Sequence, residues 1–66
     1  MYRNLEAELA RKAIKKKELA ELLDVRQATI YDKINGKFPF TLDEAVAIRN
    51  NFFEEMNVEY LFKKFE

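Results

Sequence analysis

Residues 15–37 read KKKELAELLDVRQATIYDKINGK, and the spacing of their apolar positions decides the fold. Leu19, Ala20 and Leu23 make one narrow apolar face, which suits a helix of barely two turns. Asp24, Val25 and Arg26 interrupt the pattern. Ile30 and Ile34 then mark the buried side of a second short helix, predicted from Gln27 to about Asn35, with Gly36 as the left-handed stop that such an end prefers. Two helices this short, joined by about three residues, have no useful length over which to lie antiparallel, so a steep crossing is expected, with one helix projecting. With the isoleucines turned in, Ala28, Thr29 and Asp32 face outward, Tyr31 and Asn35 stand at one margin, and Gln27 sits at the exposed start. A merely solvated helix more often carries Glu and Lys there. A helix that enters a DNA major groove needs short groups and amides that fit against base edges.

On the amino-terminal side, Leu5, Leu9 and Ala13 recur at intervals of four and predict a helix from about Asn4, its expected cap, to Ala13. Glu6 and Glu8 lie near its start, where the helix dipole favours negative charge. On the other side, Thr41 and Glu44 form a capping box for a fourth helix. Leu42, Ala45, Ile48 and Phe52 are expected to be its buried face, widened by Val46 and Phe53. Asn57 caps a fifth, in which Val58, Leu61, Phe62 and Phe65 share one side and Tyr60 points elsewhere. Phe40 is expected to be buried and Phe38 to act as a lid on the core. The expectation is an all-α, compact five-helix bundle forming one domain over residues 1–66.

Composition narrows the function. The 66 residues contain no Cys and no His, which removes disulfides, thiolate metal sites and the commonest general base. A chain this short, with no glycine-rich phosphate loop, is not expected to be an enzyme, to hold a metal or to use a cofactor. No apolar run approaches the roughly 20 residues of a membrane span. A cytoplasmic protein with no membrane partner is the expectation. Net charge is zero, but residues 1–37 carry three more basic than acidic side chains and residues 38–66 three fewer, so one end is suited to facing an anion.

The run from Lys15 to Lys37 resembles the helix-turn-helix of the lambda-repressor-like family, the Cro and phage repressor type. The flanking stretches NLEAELARK (4–12), FTLDEAVAI (40–48) and NVEYLF (57–62) resemble that family's other helices, so the likeness spans nearly the whole chain. It rests on joint spacing: Leu19-Ala20, Val25, Ile30, Asn35-Gly36-Lys37 and Leu42. It is most like the short phage and prophage regulators of the family. The resemblance implies a transcriptional regulator with the helix from Gln27 as its recognition helix. Gln27, Ala28, Tyr31 and Asp32 then match base-contacting positions, and Lys16, Lys17, Arg26, Thr29, Lys33 and Lys37 border phosphate. An amide such as Gln27 suits adenine N6 and N7, the Ala28 methyl a thymine methyl, and Asp32 a cytosine amine. The chain departs from the family pattern at Asp24, where Gly is usual, and at Lys15 and Arg26, where Ser or Thr caps the helix. Basic residues at two helix starts oppose the dipole, which makes sense on a surface that binds phosphate.

The implied partner is double-stranded DNA carrying a pseudo-palindromic operator, bound by a homodimer whose recognition helices lie about 34 Å apart. The aromatic end of the chain is the expected dimer surface, with Phe53, Met56, Tyr60 and Phe65 at its centre. The alternative is a protein-interaction module, antitoxin-like or anti-repressor in kind, which the zero net charge and the aromatic end also suit.

Overall fold

The computed structural model describes residues 1–65. Among these residues there are five helices and no strand: α1 (Arg3–Arg11), α2 (Lys16–Leu23), α3 (Gln27–Ile34), α4 (Leu42–Phe52) and α5 (Val58–Leu61). They pack into a body with a radius of gyration of 10.5 Å. Helix α2 packs mainly on α3 and also on α4, while α5 bridges α1 and α4. One core unites them: Tyr2, Leu5 and Leu9, then Leu19 and Ala20, Ile30 and Ile34, Ala45 and Ile48, and finally Phe53 and Leu61, all buried. Beside it, Tyr2, Phe40 and Phe62 meet edge to face with ring centroids 5.2–5.9 Å apart. Phe40 is thus half-buried, at one end of the core.

Three helices end in the same way. Ile14 N–H donates to the Leu9 carbonyl and Ala13 N–H to Ala10; Val25 and Asp24 repeat the pair of bonds to Ala20 and Glu21; Lys37 and Gly36 repeat it to Asp32 and Lys33. This is the Schellman closure, which needs a left-handed residue at its corner. The corners are Ala13 (φ 56°), Asp24 (φ 56°) and Gly36 (φ 89°). Gly36 suits its place twice over, because an added Cβ would also stand 3.0 Å from the Met1 nitrogen. Ala13 is the strained corner, since a left-handed L-residue costs roughly 1–2 kcal/mol. Replacing Ala13 with glycine relieves that strain while adding disorder to the unfolded chain, so a net gain of about 0.5–1 kcal/mol is expected in urea unfolding.

Several sequence expectations need correction. Helix α1 stops at Arg11, because the chain turns left-handed at Ala13 to close the helix end; it does not continue to Ala13. Its cap position is Tyr2, and Asn4 lies inside the helix, with its side-chain amide donating to the Tyr60 carbonyl at 2.8 Å. Leu42 is 72% exposed, not buried. The inward stripe of α4 is centred on Ala45 and Ile48, and Leu42 lies about 60° and 120° around the helix from these two. Phe38 is exposed and is no lid. Helix α5 ends at Leu61, because the chain beyond it turns so that the Phe65 backbone pairs with Met1.

Candidate nucleic-acid interface

The cap positions of α2 and α3, Lys15 and Arg26, make no side-chain cap hydrogen bond. Lysine has no acceptor, so α2 has half a capping box: the Glu18 carboxylate accepts the Lys15 N–H at 2.8 Å, and the Glu18 N–H falls back on the Lys15 carbonyl. Helix α3 has no acidic side chain in its first turn to do this; its Thr29 N–H likewise falls back on the Arg26 carbonyl, and its first residues, Gln27 and Ala28, stand exposed.

The exposed arc of α3 comprises Gln27, Ala28, Tyr31 and Asn35. Among the described residues, the Lys16 ammonium reaches over the ring of Tyr31, a residue that nevertheless stays 46% exposed. The arc is turned relative to the sequence expectation: Tyr31 and Asn35 are open, whereas Thr29 and Asp32 are half-buried. Of the four positions expected to contact bases, Gln27, Ala28 and Tyr31 are exposed and Asp32 is half-buried.

An open groove of about 440 Å³ runs beside this arc, between α1 and the starts of α2 and α3. Lys15, Lys16 and Lys17 line it together with Gln27 and Tyr31, over apolar ground that includes Leu9 and Ile14. The fold thus brings two expected phosphate contacts and two expected base contacts to one place. Lys15, Lys17, Arg26 and Lys37 form no ion pair with a carboxylate among the described residues. Lys37 lies over the exposed Phe38 ring, 5.7 Å from its centroid. Lys16 is engaged, its ammonium 3.3 Å from a Glu6 carboxylate oxygen and 5.1 Å from the centre of the Tyr31 ring. Sequence reasoning treated Glu6 as a dipole charge and missed this pairing, because nothing in the local spacing signals a contact from α1 to α2.

Lys33 is the clear departure among the phosphate candidates. Its ammonium lies 2.7 Å from Glu44, with the side chain only 13% exposed. The same Glu44 oxygen accepts the Thr41 N–H at 2.9 Å, and the Glu44 N–H donates to Thr41 Oγ1 at 3.1 Å. Lys33 therefore fastens α3 to the cap of α4, and a phosphate would have to displace Glu44 to reach it. Partial burial pushes the Glu44 carboxyl up, but the bonds from Lys33 and Thr41 outweigh it and leave the group below its ordinary value of 4.5. A carboxyl lowered in the folded state contributes stability that is complete above its unfolded value and lost as pH falls through the folded one. Lys33→Met is accordingly expected to flatten the loss of stability between about pH 5 and pH 3 relative to the parent chain, as read by chemical unfolding at each pH.

The expected dimer surface also changes. Phe53 is 0% exposed and belongs to the core, where the turn after α4 carries it inward. Met56 and Phe65 are half-buried; Met56 packs against that core, and the Phe65 ring is flanked by Arg3 and Lys63. Tyr60 is exposed but tethered, its hydroxyl donating to the buried Glu8 carboxylate at 2.8 Å, which raises the phenol above its ordinary value. Besides Met1, Tyr31 and Tyr60, the large apolar groups that remain open are Phe38, Leu42 and Val46, close together in sequence.

No helix among the described residues is long and apolar enough to cross a membrane. Comparison with protein-family models, with curated proteins and with solved structures finds no match for this chain.

Proposed function

We propose that the protein is a sequence-specific DNA-binding transcriptional regulator in which α2, the turn at Asp24–Arg26 and α3 act as a helix-turn-helix. One observation carries the reading: the open arc of α3, headed by Gln27, borders the same groove as Lys15, Lys16 and Lys17. Base edges are read by hydrogen-bonding and small apolar groups, and the duplex is held by cations on its phosphates. Gln27, Ala28 and Tyr31 supply the first set; Lys17, Arg26 and Lys37 supply the second, all of them exposed. Asp32 and Thr29 lie at the edge of the contact, half-covered.

Selection of bound duplexes from a random pool tests the reading. Enrichment of a motif with two related half-sites about one helical turn apart supports a dimeric regulator. A pool that stays random refutes it and favours the protein-interaction module.

A homodimer is part of this proposal, and its surface is assigned to Phe38, Leu42 and Val46. Leu42, Val46 and Asn50 form an uncharged strip along one face of α4, with Arg49 and Asp43 at its two edges. Depletion of charge is what distinguishes the centre of an interface, and a chain of zero net charge meets a second copy of itself without long-range repulsion. Because Leu42 is so exposed, Leu42→Asp is expected to leave the melting curve nearly unchanged. The same variant should shift sedimentation toward monomer and weaken binding to a two-half-site duplex while sparing a single half-site.

A further inference from the structure

Helix α1 reaches the groove through Glu6, and this residue occupies the place where a phosphate oxygen would meet Lys16. The Lys16 ammonium and the Glu6 carboxylate lie 3.3 Å apart, and the two side chains are 29% and 38% exposed, so neither is closed off from solvent. The ammonium is held at the same time against the Tyr31 ring at 5.1 Å. Glu6, Lys16 and Tyr31 therefore form a chain from α1 through α2 to α3 along the rim of the groove. Lys15 and Lys17 flank it without carboxylate partners among the described residues.

We infer that Glu6 is an affinity-setting, positioning residue: an internal stand-in for phosphate that occupies Lys16 and mutes the attraction of the groove for polyanions. The inference rests on the DNA-facing reading of the groove. A phosphate arriving at Lys16 must displace a carboxylate already there and then lie beside it, so the usual gain from releasing counterions at that lysine is largely lost. Lys17 keeps its full contribution. Lys16 stays over Tyr31 and holds that ring in place beside Gln27.

The test is fluorescence anisotropy with a labelled random-sequence duplex of about 20 base pairs, titrated over a range of salt concentrations. Glu6→Gln keeps the length of the side chain and removes the charge. It is expected to tighten binding by about two- to tenfold near 0.1 M salt and to steepen the slope of log affinity against log salt by about 0.9, the contribution of one phosphate. Lys16→Met alone should change that slope little, and the Glu6→Gln, Lys16→Met double variant should lose the gain. A Tyr31 ring resonance that moves in Glu6→Gln and in Lys16→Met without any DNA present supports the positioning part. Glu6→Gln binding with an unchanged slope, or a gain that persists without Lys16, overturns the inference while leaving the regulator reading intact. Absence of binding by the parent chain and by Glu6→Gln even at low salt overturns both.

Discussion

Phe53→Ala is expected to remove most or all of the stability of the fold. The ring is fully buried, is the largest of the completely enclosed side chains, and lies 6.4 Å from the Phe52 ring in an edge-on contact. Deleting a buried phenyl group costs about 3–5 kcal/mol, the sum of lost transfer energy and the cavity left behind. A chain of 66 residues has roughly 3–10 kcal/mol in total to lose. Phe53 also anchors the corner between α4 and α5: its N–H donates to the Arg49 carbonyl, its carbonyl accepts from Met56 N–H, and the Lys12 ammonium lies 5.2 Å from its ring. Little is available to collapse into the space, because α5 is a single short helix held by its Asn57 cap and by contacts to α1 and α4. Circular dichroism in urea should show the transition shifted to much lower denaturant or abolished. A variant as stable as its parent would show that Phe53 is dispensable to the core, and would return it to the interface that the sequence suggested.

The second large effect concerns binding. Gln27→Ala is expected to weaken binding to the preferred duplex by about 1–3 kcal/mol and to relax the choice of base at one position of each half-site. Gln27 is the first residue of α3 and exposed, so the fold does not depend on it. Its amide is uncharged, so the salt dependence should not change, and affinity for an unrelated duplex should stay as it was. This pattern separates a base reader from its neighbours. A phosphate contact, the role proposed for Lys17, weakens every duplex alike when removed and flattens the salt slope by about one unit. Uniform weakening on all sequences would deprive Gln27 of its assigned role.

The parts of this fold that were legible in the sequence are those governed by local backbone chemistry. Gln27 as a helix start, Gly36 as a left-handed stop, the Thr41–Glu44 capping box and the Asn57 cap all stand where spacing placed them. Each depends on residues within a few positions of one another, where the physics is short-ranged. Ala13 escaped the same logic because its left-handed conformation is imposed by the closure onto Leu9 and Ala10, and alanine gives no warning of it. Periodicity also misplaced Leu42 and Val46, which are exposed. Both fit an apolar stripe, but which of two neighbouring apolar groups is covered depends on where α5 folds back, a matter of tertiary packing.

The candidate site divides along the same line. The inward isoleucines fixed the buried side of α3, and Gln27 and Ala28 are open as expected, but the exposed arc runs on through the expected margin at Tyr31 and Asn35, while Thr29 and Asp32, expected outward, are half-buried. The lysines could not be sorted by type alone. Lys33 is occupied by Glu44, eleven positions away, Lys16 by Glu6, ten positions away, and Lys12 by Glu55 across the whole fold. Such pairings come from side chains meeting between helices, and no pattern along one helix announces them. Of the cations from Lys15 to Lys37, Lys15, Lys17, Arg26 and Lys37 have no carboxylate partner among the described residues, and these are the ones proposed to meet phosphate.

The most direct examination is amide chemical-shift mapping of the labelled protein during titration with a selected duplex. The largest changes should fall on Gln27, Ala28 and Tyr31 and on the Lys15–Lys17 rim, with α5 and the buried faces quiet. Changes centred on α4 and α5, with the exposed side of α3 unmoved, would contradict a major-groove role for that helix.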